Sequence, residues 1–334
     1  MTREFLAVDA GNSKTVAVVC TADGEITGRG RAGVGDIYAA PGAAAAVEQV
    51  GAAVRAALAT AGTTLARIEH AAFRLAGIDW AADDVFWDAA VRATFPDLRS
   101  RSVKNDGFSM IRLASLSGSG VSVIAGTGPA IAARGPDGSE FSASWWIQED
   151  IGGVGLGDAA FRAVIRADLG MEPATCLTTR LLDVFGCPDV ATLLEVFTRR
   201  VEALPGPEKR RAARAVLAAA DSGDPTAAGI VTGQGRAFAE YAAAAARRAG
   251  FHLATECIPV ALGGSLMTSE HAVLRVATTR ELARVIARVR VESTAAPPVV
   301  GAALDALAEG GTGPTEQVRS ALISAVHPGD FLQT

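Results

Sequence analysis

The beginning of the chain combines an acidic side chain with a turn of small residues, a combination suited to binding a phosphate and a metal ion. Residues 5–8 are all apolar, as in a strand buried on both faces, and Asp9 follows them. Gly11, Asn12 and Ser13 then form a tight turn, whose backbone N–H groups can surround an anion. A carboxylate at the strand end can hold a divalent cation, usually through water. A plain β-hairpin with the same turn is an equally good interpretation of this stretch taken alone.

Two further glycine-containing turns occur later in the chain, each directly after an apolar run. They consist of Gly126, Thr127 and Gly128 after residues 121–125, and of Gly263, Gly264 and Ser265 after residues 258–262. The first of them is followed by another apolar run, so the order of strand, turn and strand occurs twice. A glycine pair at a strand end leaves room for a flat ligand to lie on the backbone. Three such turns after buried strands indicate a shared binding site.

The pattern of apolar residues predicts an α/β protein in which one order of elements is repeated. In the first half, the predicted strands are residues 5–8, 16–20, 24–31, 68–75 and 100–105, and the predicted helices are residues 41–61, 83–94 and 107–116. In the second half, the predicted strands are residues 121–125, 130–134, 139–144, 257–262 and 285–291, and the predicted helical stretches are residues 158–250 and 301–309. The pattern alone supports an α/β class with right-handed crossover connections. We expect the tail from Gly310 to be loosely held.

Composition and charge exclude several classes of protein. The chain has 334 residues and a net charge of −5, so a basic surface for nucleic acid or an anionic membrane is not expected. The four cysteines include no C-x-x-C pair, which argues against a zinc ribbon or a disulfide framework. No apolar run approaches the roughly 20 residues of a membrane helix, and a signal-peptide pattern is absent. We therefore expect a cytoplasmic protein that binds neither nucleic acid nor membrane.

The three turns, taken in order, carry a resemblance to a known family. D-A-G-N-S-K-T at residues 9–15 is similar to the first phosphate loop of the N-acetylglucosamine kinase-like and BadF/BadG/BcrA/BcrD-type ATPase group, roughly D-G-G-G-T-K-T. G-T-G-P at residues 126–129 is similar to its second phosphate loop, and G-G-S at residues 263–265 to its adenosine motif. Asn105 and Asp106 lie between the phosphate loops, where the family has an N-D-A or T-D-A turn with its catalytic aspartate. The chain thus resembles this branch of the actin-like ATPase superfamily over nearly its whole length.

The resemblance implies a fold, ligands and an oligomeric state. It implies two ribonuclease-H-like domains with a cleft between them, the first at residues 1–116 and the second at 117–296. A helix at about residues 297–310 would return to the first domain, and the second would carry a helical insertion at about 158–250. The resemblance further implies ATP and Mg²⁺ as cofactors, a small sugar-like acceptor and a homodimer.

The resemblance also assigns roles to individual residues. Asp9 would bind Mg²⁺ through water, and Asp106 would take the proton from the acceptor hydroxyl. The residues expected to contact the nucleotide are Gly11, Asn12, Ser13, Lys14, Thr15, Gly126, Thr127, Gly128, Gly263, Gly264 and Ser265. Asp106 alternatively caps the helix predicted at residues 107–116, and both roles are compatible. Lys14 either reaches a phosphate or is a solvated strand residue.

The stretch expected to contact the acceptor departs from the family pattern. Where N-acetylglucosamine kinases have G-G-W-G followed by G-D-E-G-S, residues 141–152 read F-S-A-S-W-W-I-Q-E-D-I-G, which keeps the acidic pair and replaces its flanking glycines. The residues expected to meet the acceptor are Asp36, Asn105, Asp106, Trp145, Trp146, Glu149 and Asp150. The two indoles either stack on the acceptor or fill a core. Because the pocket wall gains ring volume, we expect N-acetylglucosamine to be a poor acceptor and a plain or amine-bearing sugar or cyclitol to be preferred.

Three classes of function are compatible with these residues. The first is an ATP-dependent kinase acting on a hydroxyl of a sugar, amino sugar or related cyclitol. The second is a BadF/BadG-type ATPase that activates a partner enzyme and holds an iron–sulfur cluster between subunits. The cysteines here lie in helical or strand patterns rather than in a shared loop, which disfavours this class. The third is a nucleotide-dependent regulator without transfer activity, which the presence of Asp9, Asp106 and the Gly-Thr-Gly turn disfavours.

Overall fold

Two five-stranded sheets form the framework of the computed structural model, which describes residues 3–326. The first sheet contains β1 (Glu4–Ala10), β2 (Thr15–Thr21), β3 (Ile26–Ala32), β4 (Ile68–Leu75) and β5 (Arg101–Asn105), in the order β3-β2-β1-β4-β5. The second contains β6 (Gly120–Ala125), β7 (Pro129–Arg134), β8 (Glu140–Ser142), β9 (Cys257–Gly263) and β10 (Arg288–Ser293), in the order β10-β9-β6-β7-β8. In each sheet the first three strands are antiparallel and the last two run parallel to the first. The repeated order confirms the predicted α/β fold class.

Helices cover the faces of both sheets. They are α1 (Ala43–Ala61), α2 (Ala81–Thr94), α3 (Ile111–Ala114), α4 (Gly153–Asp168), α5 (Leu177–Phe185), α6 (Val190–Thr198), α7 (Ala213–Asp221), α8 (Pro225–Arg248), α9 (Val273–Val285), α10 (Pro298–Glu309) and α11 (Glu316–Ala325). The helical stretch predicted between β8 and β9 therefore consists of α4 to α8. Within residues 3–326, none of these helices combines the length and the apolar character needed to cross a membrane.

The central strand β1 is apolar at successive positions because it lies between two helical layers. Phe5 and Ala7 belong to a buried cluster with α10, whereas Leu6 and Val8 belong to a second cluster with α1 and α2. Successive side chains of a strand point to opposite faces, so a strand covered on both sides needs apolar residues throughout. Although α10 follows the second sheet in the chain, it packs on the first.

The segment after β5 differs from its prediction. Instead of one helix at residues 107–116, the chain forms a 3₁₀ helix at Asp106–Met110 and then the four-residue α3. The N-cap is Asn105, whose Oδ1 accepts a hydrogen bond from the N–H of Gly107 at 2.8 Å. The alternative role of Asp106 as the cap is therefore wrong, because the preceding amide already satisfies the first free N–H group.

Near the end of the chain, the start of one predicted strand and the predicted loose tail are also wrong. The strand predicted at residues 285–291 begins only at Arg288, because α9 continues to Val285. The tail predicted to be loose contains α11, in which Leu322 is fully buried and the guanidinium of Arg319 donates to the carbonyl of Leu113 at 2.7 Å. Apolar residues of this helix join the buried cluster between α10 and the first sheet, which the composition of the tail did not reveal. The last part of the predicted tail, residues 327–334, lies outside the described residues.

A buried ion cluster joins the two sheets beside α10. Arg74 of β4 is fully buried and donates to the carboxylate of Asp305 through Nε at 3.0 Å and Nη2 at 2.7 Å. The same carboxylate accepts from Nε of Arg112 at 2.6 Å and from Nη1 of Arg134, on β7, at 3.3 Å. One buried carboxylate of α10 therefore connects arginines of β4, α3 and β7.

Glu309 extends this cluster at the end of α10. Its carboxylate accepts from Nη2 of Arg74 at 2.9 Å, lies 3.2 Å from Nε2 of His70 and is bonded to the hydroxyl of Ser102. Burial by itself would raise the pKa of Glu309, but the hydrogen bond with His70 and the charge of Arg74 outweigh burial and lower the pKa from 4.5 to about 2. The ionised form is therefore favoured in the folded protein.

The lowered pKa of Glu309 predicts a pH-dependent stability. Because the folded pKa lies below the unfolded one, the contribution is fully present above about pH 4.5 and is lost as the pH falls towards 2. We expect Glu309→Gln to lower the free energy of unfolding by about 2 kcal/mol at neutral pH and by progressively less in acid. Urea denaturation at a series of pH values measures this difference. The control is Glu316→Gln, which removes an exposed partner of Arg319. A Glu309→Gln effect independent of pH would contradict the prediction.

Candidate functional site

Asp9 lies at the end of β1, where the first turn begins. Its carboxylate is partly buried, and the hydroxyl of Ser109 donates to Oδ1 at 3.2 Å. Burial raises the pKa of Asp9 to about 6, while the bond from Ser109 and the charge of Lys14 oppose this shift. The turn is closed by the N–H of Gly11, which donates to the carbonyl of Lys14 at 3.0 Å. A desolvated carboxylate thus stands beside a turn of small residues, where a cation would stabilise its charge.

The second turn is held by the start of α4. The carbonyl oxygens of Gly126 and Thr127 accept hydrogen bonds from the first N–H groups of this helix, at 2.9 and 3.0 Å. Because the C=O and N–H of a trans peptide point in opposite directions, the N–H groups of Thr127 and Gly128 face away from α4. This turn therefore presents N–H groups on its open side, which suits a phosphate.

The third turn packs directly on the end of β6. Gly264 has a φ of +86°, and a Cβ at this position would lie 2.5 Å from the carbonyl oxygen of Ala125. Only glycine tolerates both conditions. The carbonyl of Gly264 accepts from the N–H of Thr268 at 3.1 Å and from its hydroxyl at 3.0 Å. The close approach brings the second and third turns together.

The three turns meet around a cavity of about 920 Å³, which we call the nucleotide cavity. The predicted residues that line it are Asp9, Asn12, Ser13, Lys14, Gly126, Thr127, Gly264 and Ser265. Three other predicted nucleotide contacts lie behind this lining. Thr15 is fully buried and its hydroxyl donates to the carbonyl of Gly33 at 2.9 Å. Gly11 closes its own turn, and Gly263 lies against the side chain of Met110.

Several residues of the nucleotide cavity were missed by the sequence analysis. They are Val16, Arg210, Arg214, Thr268, Thr294 and residues 295–299. The two arginines come from the helical stretch between β8 and β9, one helical turn apart in sequence. A basic run at residues 209–214 in an acidic protein is the signal that could have identified them.

Asp106 follows β5 and lies next to Asp9. The hydroxyl of Ser109 is hydrogen-bonded both to the Asp9 carboxylate and to the backbone carbonyl of Asp106. Burial raises the pKa of Asp106 to about 8, the charges of Asp9, Asp36 and Asp79 add to this, and a bond with the N–H of Gly107 opposes it. A carboxylate with a raised pKa is a stronger proton acceptor once it is ionised.

Asn105 fixes the position of Asp106 through hydrogen bonds on both sides of its amide. Its Nδ2 donates to the carbonyl of Ile78 at 3.1 Å and to Oδ1 of Asp79 at 3.0 Å. Its Oδ1 caps the 3₁₀ helix and also accepts from the hydroxyl of Ser142 at 3.2 Å. Asn105 therefore ties the end of β5 to the second sheet.

A second cavity of about 470 Å³, the acceptor cavity, adjoins the first. The residues already predicted from sequence that line it are Asn12, Asp36, Asn105, Asp106, Gly128, Trp145, Glu149 and Asp150. Asn12 lines both cavities. Trp146 lies apart from this lining, with its ring centre 5.4 Å from the guanidinium carbon of Arg248. The structure thus places the two adjacent indoles in different surroundings, although the sequence pattern predicts the same role for both.

The acceptor cavity also contains residues that sequence did not single out, chiefly Tyr38, Asp79 and Ser144. The N–H of Tyr38 donates to Oδ1 of Asp36 at 2.8 Å, and its hydroxyl donates to Oδ1 of Asp83 at 3.0 Å. The Tyr38 ring meets Trp145 edge-on, with 5.8 Å between ring centres. Tyr38 and Trp145 together form an aromatic wall. Tyr38 is one of two tyrosines in the chain and lies two residues after Asp36, which was the available signal.

The residues around Asp9 fit a hard divalent cation. Within residues 3–326, no three His, Cys, Asp or Glu side chains form a group that could hold a metal ion by themselves. Mg²⁺ does not need such a group, because it keeps several waters and binds through one or two carboxylates and phosphate oxygens. One carboxylate beside a phosphate-binding turn matches this preference.

Comparison with known proteins places the chain in a family. The model of the BadF/BadG/BcrA/BcrD ATPase family matches residues 6–306, which include both sheets and all three turns. The chain belongs to this family. The resemblance drawn from the motifs is confirmed. No curated protein matches the chain.

Solved structures share the fold of this family member over most of its length. A proposed N-acetylglucosamine kinase from Chromobacterium violaceum is 24% identical, has a TM-score of 0.66, and is matched over 90% of this chain and 98% of that one. A second, from Porphyromonas gingivalis, is 17% identical with a TM-score of 0.63, over 91% and 98%. A ROK family glucokinase from Streptomyces griseus, solved with glucose and AMPPNP, is 19% identical with a TM-score of 0.54, over 91% and 99%. The chain therefore has the two-domain fold of actin-like ATPases and ROK kinases.

Proposed function

We propose that the protein is an ATP-dependent phosphotransferase that acts on a hydroxyl group of a sugar, amino sugar or related cyclitol. The observation that carries this proposal is the junction of two cavities at Asp9, Asn12 and Asp106. The nucleotide cavity is built from three turns suited to the phosphates and the nucleobase of a nucleotide. The acceptor cavity has carboxylates and an aromatic wall. Because Asn12 lines both, a terminal phosphate in one cavity would lie beside a hydroxyl in the other. Membership of an ATPase family is consistent with this arrangement.

Asp106 acts as the general base in this proposal. It accepts the proton of the acceptor hydroxyl while the acceptor oxygen forms a bond to the γ-phosphorus and the bond from that phosphorus to ADP breaks. Mg²⁺, when bound at Asp9, supplies positive charge to the phosphate oxygens. The N–H groups of Thr127 and Gly128 hold the phosphates from the second sheet.

Lys14 contacts a phosphate in the same proposal. It lines the nucleotide cavity, and burial lowers its pKa, as does the charge of Arg31, while Asp9 opposes the shift. A bound polyphosphate would compensate the cost of keeping this ammonium partly desolvated. This position supports the phosphate-binding interpretation over that of a solvated strand residue.

The test of the proposed function is ATP turnover with and without a panel of sugars, amino sugars and cyclitols. We expect ADP formation that depends on the acceptor, with phosphate recovered on the acceptor. Acceptor-independent hydrolysis would favour an activating ATPase, and nucleotide binding without turnover would favour a regulator.

The exposed cysteines, Cys176 and Cys257, lie on separate elements, which disfavours a shared iron–sulfur site. The homodimer and the cytoplasmic location stay predictions.

Asp9→Asn is expected to weaken binding of the magnesium–nucleotide complex. The amide keeps the shape of the side chain but removes the charge that the cation needs. We expect the Kd for Mg·ATP, measured by calorimetry, to rise about tenfold or more, because metal sites depend this strongly on their ligand environment. Affinity for ATP in the presence of EDTA should change little. The control is Asp23→Asn in the exposed β2–β3 turn. Unchanged Mg·ATP affinity would remove Asp9 from the site.

The two adjacent tryptophans provide a matched pair of variants. Their exposed fractions are nearly equal, 51% for Trp145 and 56% for Trp146, but only Trp145 lines the acceptor cavity. We expect Trp145→Ala to raise the acceptor KM about two- to tenfold, since aromatic contacts contribute roughly 0.5–1.5 kcal/mol beyond burial. The KM for ATP should stay constant. Trp146→Ala should leave both values within twofold. Equal effects of the two substitutions on the acceptor KM would contradict this assignment, and melting temperatures control for stability.

A further inference from the structure

The two adjoining cavities differ in the sign of their charge. Apart from Asp9, the charged residues that line the nucleotide cavity are basic: Lys14, Arg210 and Arg214. The acceptor cavity is lined by five carboxylates, those of Asp36, Asp79, Asp106, Glu149 and Asp150, and its lining contains no Lys, Arg or His. Charge is therefore segregated across the junction, with positive groups where an anionic donor would bind and negative groups where the acceptor would bind.

The carboxylates of the acceptor cavity also lack the basic partners that compensate the acids of the ion cluster beside α10. Outside this cavity, the buried Asp305 contacts three arginines, and the half-buried Glu140 contacts Lys104 and Arg134. None of the five acceptor-cavity carboxylates forms an ion pair within residues 3–326. Glu149 and Asp150 are exposed to solvent, but Asp36 is buried and Asp79 and Asp106 are half-buried. Uncompensated negative charge at these three positions is costly unless a ligand compensates it.

Asp36 and Asp79 are the members of this group best placed to meet a ligand cation. Asp36 is only 7% exposed, and its carboxylate accepts hydrogen bonds from the backbone N–H groups of Tyr38 and Ala39, which are neutral donors. It is held against Gly77, where a Cβ would lie 2.7 Å from its Oδ1. Oδ1 of Asp79 accepts from the amide of Asn105, a neutral donor. Burial raises the pKa of both carboxyls, and the charge of Asp36 adds to the shift at Asp79. Neither carboxylate has its charge balanced by the protein.

The aromatic wall adds a second feature that favours a cation. Tyr38 and Trp145 line the same cavity and meet edge-on. Aromatic faces attract ammonium groups through the negative potential above the ring, most strongly when water is excluded. A neutral sugar can also bind to carboxylates and indoles, but it would leave the negative charge of the cavity beside the phosphates unbalanced.

We propose that the acceptor carries a free, positively charged amino group, so that the substrate is an amino sugar or an aminocyclitol bound through Asp36 and Asp79. This inference rests on the proposed function and specifies the substrate class of the same site. The ammonium group lies beside the hydroxyl that Asp106 deprotonates, and the aromatic wall covers the ring. An N-acetyl group removes the charge, so the acetylated sugar is a poor substrate.

The test compares acceptors that differ only in the charged group, at a pH below the pKa of the amine. One set is glucosamine, N-acetylglucosamine and glucose, and the other is an inosamine and the inositol of the same ring configuration. In at least one set, we expect kcat/KM for the amine to exceed that of its uncharged counterparts about tenfold or more, as for hydrogen bonds to charged groups. If the uncharged members of both sets are phosphorylated as well as the amines or better, the inference is wrong, while the proposed kinase activity stands. Absence of transfer to every acceptor overturns the proposed function, and the inference with it.

Charge-removing variants give a second, independent readout. Asp36→Asn and Asp79→Asn each keep an oxygen for the existing hydrogen bond from the protein. We expect each to lower the ratio of kcat/KM for the amine to that for its hydroxyl counterpart by roughly tenfold or more. The control is Asp84→Asn, an exposed acid on α2 outside the cavity. A ratio that both cavity variants leave unchanged overturns the role of these carboxylates, whatever their effect on stability.

Discussion

Asp106→Asn is expected to abolish phosphoryl transfer while the protein remains folded and binds ATP. The amide has the shape of the carboxylate but cannot accept the hydroxyl proton, and loss of a general base costs about 10²–10⁴ in rate. Asn105, and not Asp106, caps the 3₁₀ helix that follows β5. The substitution therefore leaves the hydrogen bond of this cap in place. The dependence of activity on pH provides a second test of Asp106 as the general base. The pKa of Asp106 is raised to about 8, so activity of the wild type rises with pH as this group ionises, and this rise is absent from the variant.

Single-turnover kinetics with the best acceptor, together with calorimetric titration of ATP, measure the effect of Asp106→Asn. The control is Asp97→Asn, an exposed acid after α2, which should turn over within twofold of the wild type. A variant at position 106 that keeps a third or more of wild-type activity would show that the base lies elsewhere.

Asp305→Asn is expected to cause the largest loss of stability. Arg74 is fully buried and depends on this carboxylate for two of its hydrogen bonds, and Arg112 and Arg134 contact the same group. Removing one member of a buried ion cluster leaves charge without a partner, at a cost of about 3–5 kcal/mol. Because Asp305 links β4, α3 and β7, the loss also loosens the connection between the sheets that carry the two halves of the site.

A matched surface variant separates burial from charge in this prediction. Asp88 also accepts from two arginines, Arg92 and Arg101, but its side chain is 49% exposed. Asp88→Asn should therefore lower the free energy of unfolding by less than about 1 kcal/mol. Urea denaturation of both variants tests the comparison. Similar losses for Asp305→Asn and Asp88→Asn would show that the buried cluster adds little to stability.

The sequence by itself determined the framework of the fold and the places where chemistry is concentrated. A strand such as β1, buried on both faces, is visible because every position must be apolar. The turns after β1, β6 and β9 are visible because small residues follow each apolar run, and at Gly264 glycine is required because backbone approaches backbone. These are local requirements, so they leave a local signal, and their order along the chain was sufficient to identify the family.

Only the tertiary structure decided which side chains face each other across the cleft. Arg210 enters the nucleotide cavity from a helical stretch far along the chain, and no periodicity marks the direction of its side chain. Trp145 and Trp146 are neighbours of the same type, yet a turn of 3₁₀ helix sends one into the acceptor cavity and the other onto Arg248. The charge segregation of the two cavities has the same origin. It depends on contacts between residues distant in sequence, which folding creates and which local propensities do not encode.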